Sequence, residues 1–438
     1  MGFSENFLWG AAGSAYQTEG AYDEDGEVPG IWDALSSGHV KHGENGNTAC
    51  DFYHRYEGDI RLMKETGLKS YRFSVSWPRV IRNAEGAVNE KGLSFYRELA
   101  GALREAGIEP VCTLYHWNLP LWAHERGGWK NGEIVSWFSR FSRIVCDALS
   151  DRVRYWITIN EPQCFVYCGY RSGEHAPFEK NGARAIRAIV RNVLLAHGSA
   201  VKILRERAKL PPRIGFSPTS ICSPPANGSA VETEYSRSYM FSERSRVLST
   251  VWWCDPVFLR KVPSGLRDTL SEEDLDRIGQ PLDFYGYNVY TADNNEAPEG
   301  RTNYRQGMAR TATGWGVTPE IMYWTAKFLY ERYGLPLLVT ENGMANCDWE
   351  TEDGGVHDPQ RTDFIRQYLK WLRRAADEGV PVLGYHYWSF LDNFEWAEGY
   401  DKRYGLIYVD YKTQRRIRKD SAGFYSEVIR TNGENVQK

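Results

Sequence analysis

The 438-residue chain sets 53 Lys and Arg against 57 Asp and Glu, for a formal net charge of −4 and a pI near 6.2. That mild acidity, with no stripe of clustered cations and interleaved aromatics, excludes nucleic acid as the main partner. No apolar run approaches the ~18 residues of a membrane-spanning helix, so no membrane partner is expected.

Phe3 to Gly10 is short, lacks a basic leading segment and runs into a strand. A secretory signal is therefore not expected, and a cytoplasmic location is. The first strand is expected over Phe7–Gly13, with Gln17 and Glu19 after its end. A helical pattern over Asp51–Thr66 stops at Gly67, and the second strand, Ser70–Ser76, carries Arg72. A helix over Glu90–Ala106 stops at Gly107 before the strand Glu109–His116, which ends in His116 and Trp117. The helix Trp137–Leu149 precedes the strand Tyr155–Asn160, which ends in Asn160 and Glu161. The helix Gly182–Ala208 leads to the strand Arg213–Ser217. The strand Asp283–Asn288 delivers Asn288 and Tyr290. Thr291–Gly316 is long and polar, the mark of a binding loop, and Trp315 near its end suits a ligand platform. The helix Glu320–Arg332 stops near Gly334, and the strand Pro336–Thr340 ends beside Glu341. The helix Gln360–Glu378 stops at Gly379. The strand Val382–Phe390 carries Trp388, with Glu395 and Trp396 in the loop beyond.

A glycine between helix and strand is a C-cap feeding a tight turn. Eight strand–helix alternations predict one (β/α)₈ barrel over residues 1–438, with active-site loops at the C-terminal ends of its strands. A doubly wound sheet is the alternative, but no G-x-G-x-x-G follows a predicted strand. The eight cysteines are scattered and fit reduced thiols better than a disulfide framework. Cys164 and Cys168 have no partner pair or histidine cluster, so no metal site is expected.

Glu161 and Glu341 each end an apolar, β-branched run next to a turn-forming residue. Two carboxylates at the mouth of one barrel are what cleavage of a glycosidic bond requires. The chain's 16 Trp and 27 Tyr suit stacking on sugar rings. Taken singly, Arg72 could be a structural ion pair, His116 a core histidine and Glu395 a surface residue. Their convergence on one barrel face argues for a site.

The chain resembles the β-glucosidases of glycoside hydrolase family 1 over essentially its whole length. The matching segments are Ala15-Tyr16-Gln17-Thr18-Glu19-Gly20, Tyr71-Arg72-Phe73-Ser74-Val75-Ser76-Trp77-Pro78-Arg79, Tyr115-His116-Trp117, Thr158-Ile159-Asn160-Glu161-Pro162, Thr340-Glu341-Asn342-Gly343 and Asp392-Asn393-Phe394-Glu395-Trp396. The resemblance implies retaining hydrolysis of small β-glycosides without a cofactor. Glu161 would be the general acid/base and Glu341 the nucleophile. Gln17, His116, Trp117, Asn160, Asn288, Tyr290, Trp388, Glu395 and Trp396 would form the sugar site. Trp388 would lie under the ring, while Arg72, Asn288 and Tyr290 support the nucleophile.

Gln163 stands where the family often has tryptophan, and Cys168 where it often has leucine. Both positions lie towards the entrance in the family and bear, with Trp315, on the leaving group. Tyr404 replaces a frequent phenylalanine, as in relatives that cleave 6-phosphosugars. Glu395 would repel such a phosphate, and Lys402 and Arg403 are expected to be solvated. A thioglycosidase would lack Glu161, and a barrel that only binds sugar would lack a catalytic carboxylate. The sequence leaves the C4 and C6 preference, the aglycone and the oligomeric state open.

Overall fold

A computed structural model of the chain describes residues 3–292 and 306–437. Eight parallel strands close into a barrel in sequence order: β1 Leu8–Ala12, β2 Ser70–Ser74, β3 Glu109–Tyr115, β4 Tyr155–Asn160, β5 Arg213–Ser217, β6 Phe284–Asn288, β7 Leu337–Asn342 and β8 Val382–Trp388. The helices that cover it are α1 Phe52–Thr66, α2 Glu90–Glu105, α3 Ile134–Leu149, α4 Ala183–Arg207, α5 Glu272–Ile278, α6 Ile321–Tyr333, α7 Pro359–Asp377 and α8 Asp420–Arg430. This is the expected (β/α)₈ barrel. None of the described helices is long and apolar enough to cross a membrane. Gly67, Gly107, Gly334 and Gly379 all have positive φ at helix ends, as their positions before strands predicted.

Alternation along the strands layers the interior. Val111, Ile157, Phe284 and Leu338 form a separate buried cluster, with Leu8, Tyr155 and Leu383 packed on it. Gly215 makes room for this plug, because a Cβ there would fall 2.2 Å from the Phe284 ring. Elsewhere on the same inward faces the side chains are polar. Ser70 bonds His386 at 3.0 Å, and Arg72 bonds Thr113 at 3.1 Å. Register shifts fall between Ile157 and Asn160, between Tyr287 and Asn288, and between Val339 and Asn342. Each lets a strand re-aim a side chain at the barrel mouth.

Several strand ends differ from expectation. β2 stops at Ser74, because Ser76 caps the short helix Trp77–Val80, accepting from the Arg79 amide at 3.4 Å. β3 stops at Tyr115 and β8 at Trp388. β7 extends to Asn342 and so includes Glu341. Gly343 follows because a Cβ there would lie 1.9 Å from the Trp388 carbonyl oxygen. The sequence pattern did not mark the helix Ala230–Met240, α5, the hairpin of β9 Ile407–Asp410 and β10 Arg415–Arg418, or the closing helix α8. None of the eight cysteines forms a disulfide.

Candidate active site

Glu161 leaves β4 in the left-handed region, at φ 42° and ψ 62°. Few non-glycine residues sit there, and they cluster at functional sites. Pro162 then opens a one-turn helix, and the Glu161 amide donates to the Ser217 carbonyl at 2.8 Å. Glu341 lies within β7 and is 4% exposed.

The two carboxyls have different neighbours. Arg72, itself 1% exposed, pairs with Glu341 Oε1, and the Tyr290 hydroxyl donates to Oε2 at 2.6 Å. Glu161 Oε1 instead receives a neutral amide, Asn288 Nδ2, at 2.9 Å. Burial first, and the charge of Glu341 second, push the Glu161 carboxyl up to about 7. Asn288 opposes that shift, and so does a bond from the Cys164 thiol.

A chain of amides links these groups. Arg72 donates to Asn160 Oδ1 at 2.6 Å, and Asn288 Nδ2 reaches the same oxygen at 3.0 Å. The Asn288 carbonyl oxygen accepts from Thr340 at 2.7 Å and Ser217 at 3.2 Å. Those two hydroxyls fix which end of the amide faces Glu161. With its oxygen occupied, Asn160 turns Nδ2 toward His116 Nε2 at 3.3 Å. An amide nitrogen only donates, so Nε2 accepts and the proton sits on Nδ1. Burial, then Arg72, holds His116 well below the usual imidazole range, so the ring is neutral. Its Nδ1 has no protein partner among the described residues.

On the opposite side, Gln17 Nε2 donates to the Phe394 carbonyl at 2.8 Å and lies 3.3 Å from both Asn393 Oδ1 and Glu395 Oε2. Ser14 holds the other end of that amide at 2.7 Å. Glu395 is pushed up to about 8, mainly by burial and then by Glu341 and Glu161. Trp396 stacks on Tyr16 at 6.0 Å and 9° and packs against Trp117 at 4.8 Å. The Trp117 indole N–H donates to the Asn160 carbonyl at 3.1 Å. Trp388 lies parallel to His116, 5.8 Å away, over a small cluster with Ala12, Ala345 and Tyr404.

The entrance residues are arranged differently. Gln163 is buried, and its amide bonds the Thr219 backbone at both ends, at 2.8 and 3.2 Å. The Cys168 carbonyl takes the amides of Glu174 and His175, while its half-buried thiol is pushed up to about 12. Trp315 is 38% exposed and packs 5.5 Å from Tyr290. Residues 293–305 of the predicted binding loop lie outside the described residues. Lys402 and Arg403 correct an expectation of solvated cations, for their side chains are only 18% and 16% exposed and each is held by the protein. Lys402 Nζ donates to the Ala312 carbonyl at 2.8 Å, and Arg403 pairs with buried Asp392 at 2.8 Å.

Sequence reasoning missed Cys164, which also lies 3.4 Å from Thr219 Oγ1. Its place three residues after Glu161, on one helical turn, was the available signal. It missed Ser14 as the holder of Gln17 as well. Among the described residues, no group of three or more His, Cys, Asp or Glu is arranged to hold a metal ion.

The sequence model of glycosyl hydrolase family 1 matches residues 1–434. "Beta-glucosidase A" of Thermotoga maritima is 41% identical over 442 residues, which is 98% of each chain. "Beta-glucosidase A" of Acetivibrio thermocellus is 39% identical over 450 residues, covering 98% of this chain and 99% of its own. A solved structure of the Thermotoga maritima β-glucosidase with deoxynojirimycin superimposes with a TM-score of 0.90 at 39% identity, covering 99% of both chains.

Proposed function

The chain belongs to glycosyl hydrolase family 1, and we propose that in its retaining hydrolysis of β-glucosides Glu341 is the nucleophile and Glu161 the acid/base. The enzyme is of the β-glucosidase type and acts on small glycosides. A cytoplasmic location suits eight cysteines none of which forms a disulfide.

One observation carries the role assignment: among the described residues, the only guanidinium bonded to either carboxyl is on Glu341. A nucleophile must be an anion, and Arg72 and Tyr290 each aim a donor at one oxygen of Glu341. A general acid must begin protonated. Glu161, held up at about 7, does so at neutral pH. Glu161 gives its proton to the departing oxygen while Glu341 bonds the anomeric carbon. Esterification then removes the negative charge of Glu341. The second-largest cause of the raised Glu161 value disappears, and Glu161 can take a proton from water. That water attacks the anomeric carbon, frees Glu341 and gives a product of retained configuration.

Asn160 Nδ2 and neutral His116 Nδ1 would serve the sugar hydroxyls on the Arg72 side. Gln17 and Glu395 would serve the 4- and 6-hydroxyls, with Trp388 and Trp396 against the ring. A carboxyl at Glu395 suits a pair of sugar hydroxyls and offers no cation to a phosphate dianion. Cleavage of 4-nitrophenyl β-glucoside, followed by NMR, tests the proposal. The expected first product is β-glucose; α-glucose first, or no cleavage, would overturn it.

A further inference from the structure

A buried ionic cluster lies against the loops after β7 and β8, and the chemistry described above leaves it without a role. Lys419 is fully buried between two carboxylates, with Nζ 2.6 Å from Asp348 Oδ2 and 2.7 Å from Asp392 Oδ1. Arg361, also fully buried, reaches Asp348 at 2.6 Å and pairs with Asp358. Arg403 meets the other oxygen of Asp392 at 2.8 Å. Lys419, Arg361 and Arg403 thus balance Asp348, Asp358 and Asp392. For stability alone, an apolar packing of equal volume often does as well as such a cluster. What it adds is a fixed geometry between the loop after β7 and the loop after β8 that bears Glu395.

Asp392 begins the segment that carries Glu395 and Trp396. Its neighbour Asn393 bonds Ser389 at 3.0 Å and accepts from Gln17 at 3.3 Å. Gln17 in turn holds the carbonyl of Phe394 and the carboxyl of Glu395. Asp392 Oδ1 also accepts the Gly405 amide at 2.8 Å, which fixes the residue after Tyr404. On the Asp348 side, Arg361 donates to the Arg403 carbonyl at 2.8 Å, and the Asn346 amide reaches the same oxygen at 3.0 Å. Lys419 therefore ties the loop that follows the nucleophile strand to the loop that bears Glu395.

We propose that Lys419 is a positioning residue for sugar recognition. By clamping Asp392 to Asp348 it sets where Glu395 meets the 4- and 6-hydroxyls. The proposal rests on the reading of Glu395 given above. A site built to bond a hydroxyl discriminates strongly against the analogue that lacks it, and that discrimination decays when the bonding group drifts.

The test compares 4-nitrophenyl β-glucoside with its 6-deoxy analogue on purified Lys419→Met, Lys419→Arg and Glu395→Ala. Lys419→Met is expected to raise KM for the glucoside about tenfold and to cut the glucoside to 6-deoxyglucoside ratio of kcat/KM at least about threefold, with partial rescue by Lys419→Arg. An unchanged ratio in folded Lys419→Met, whatever its melting temperature, would overturn the proposal. If Lys419→Met does not fold, Asp348→Asn carries the same comparison, since it loosens one anchor and keeps the Lys419–Asp392 pair. If the ratio falls in Glu395→Ala but holds in the Lys419 and Asp348 variants, only the positioning role fails. If it holds in Glu395→Ala, the reading of Glu395 itself fails.

Discussion

Asn288 donates a 2.9 Å hydrogen bond to Glu161 Oε1 while Thr340 and Ser217 occupy its own carbonyl oxygen. The donor stabilises the ionised form of the acid and so opposes the burial that raises it. In Asn288→Ala, Glu161 should hold its proton to higher pH. The basic limb of the kcat/KM profile should move up, and the rate at neutral pH should fall about tenfold or more through loss of a charge-assisted bond. A basic limb that stays put or moves down would exclude Asn288 as the donor that tunes Glu161.

Glu341 is the nucleophile in this scheme. Glu341→Gly should abolish hydrolysis and leave the fold intact, since the residue caps the barrel mouth and contributes nothing to the apolar plug. A 2-deoxy-2-fluoroglucoside with a good leaving group should label this residue in the wild-type enzyme. Peptide mapping that places the label elsewhere would remove the assignment.

Glu395 lies in the loop after β8 and touches Gln17. Glu395→Ala should lower kcat/KM for glucosides about 10- to 100-fold, the range expected when buried sugar hydroxyls lose their hydrogen-bond partner. An unchanged value would take Glu395 out of the sugar site. The variant should gain little on 6-phosphoglucosides, because Lys402 is held by the Ala312 carbonyl and Arg403 by Asp392.

The same carboxyl gives a stability prediction. Its folded value, about 8, is above the ordinary carboxylate value. Between those two values the folded protein binds more protons than the unfolded chain, so stability falls as pH rises. The contribution is fully present below the unfolded value and is lost as pH passes through about 8. Glu395→Gln removes this component. Melting curves at acid and alkaline pH should show the wild type losing more than the variant; parallel losses would contradict a buried, uncharged Glu395.

Much of this site was legible because the barrel places its chemistry at strand ends. Glu161, Asn160, Asn288 and Glu341 each follow an apolar run, so a one-dimensional pattern marks them. Lys419 was not legible. Its charge argues for a surface position, and only pairing with Asp348 and Asp392, distant in sequence, permits its burial. The partner of Gln163 was not legible either, because the Thr219 backbone that takes both ends of its amide belongs to the loop after β5. The terminal hairpin was missed because Ile407–Asp410 and Arg415–Arg418 alternate only over four residues each, with arginines on the second strand.

Loss of Glu161 should differ in kind from loss of Glu341. General-acid help matters most when the leaving group is poor. A dinitrophenolate departs without a proton, whereas a sugar alkoxide needs one. Glu161→Ala should therefore nearly eliminate cleavage of cellobiose. With dinitrophenyl β-glucoside the glycosyl-enzyme should still form, and its hydrolysis should become limiting because no base activates water. Azide needs no base. It should speed turnover of the variant and yield β-glucosyl azide, while doing little for the wild type. Asn288 and Cys164 would remain without their carboxyl partner, which leaves room for the small anion. Equal loss on cellobiose and the dinitrophenyl glucoside, with no response to azide, would mean that Glu161 is not the proton donor, even with Glu341 confirmed as the nucleophile.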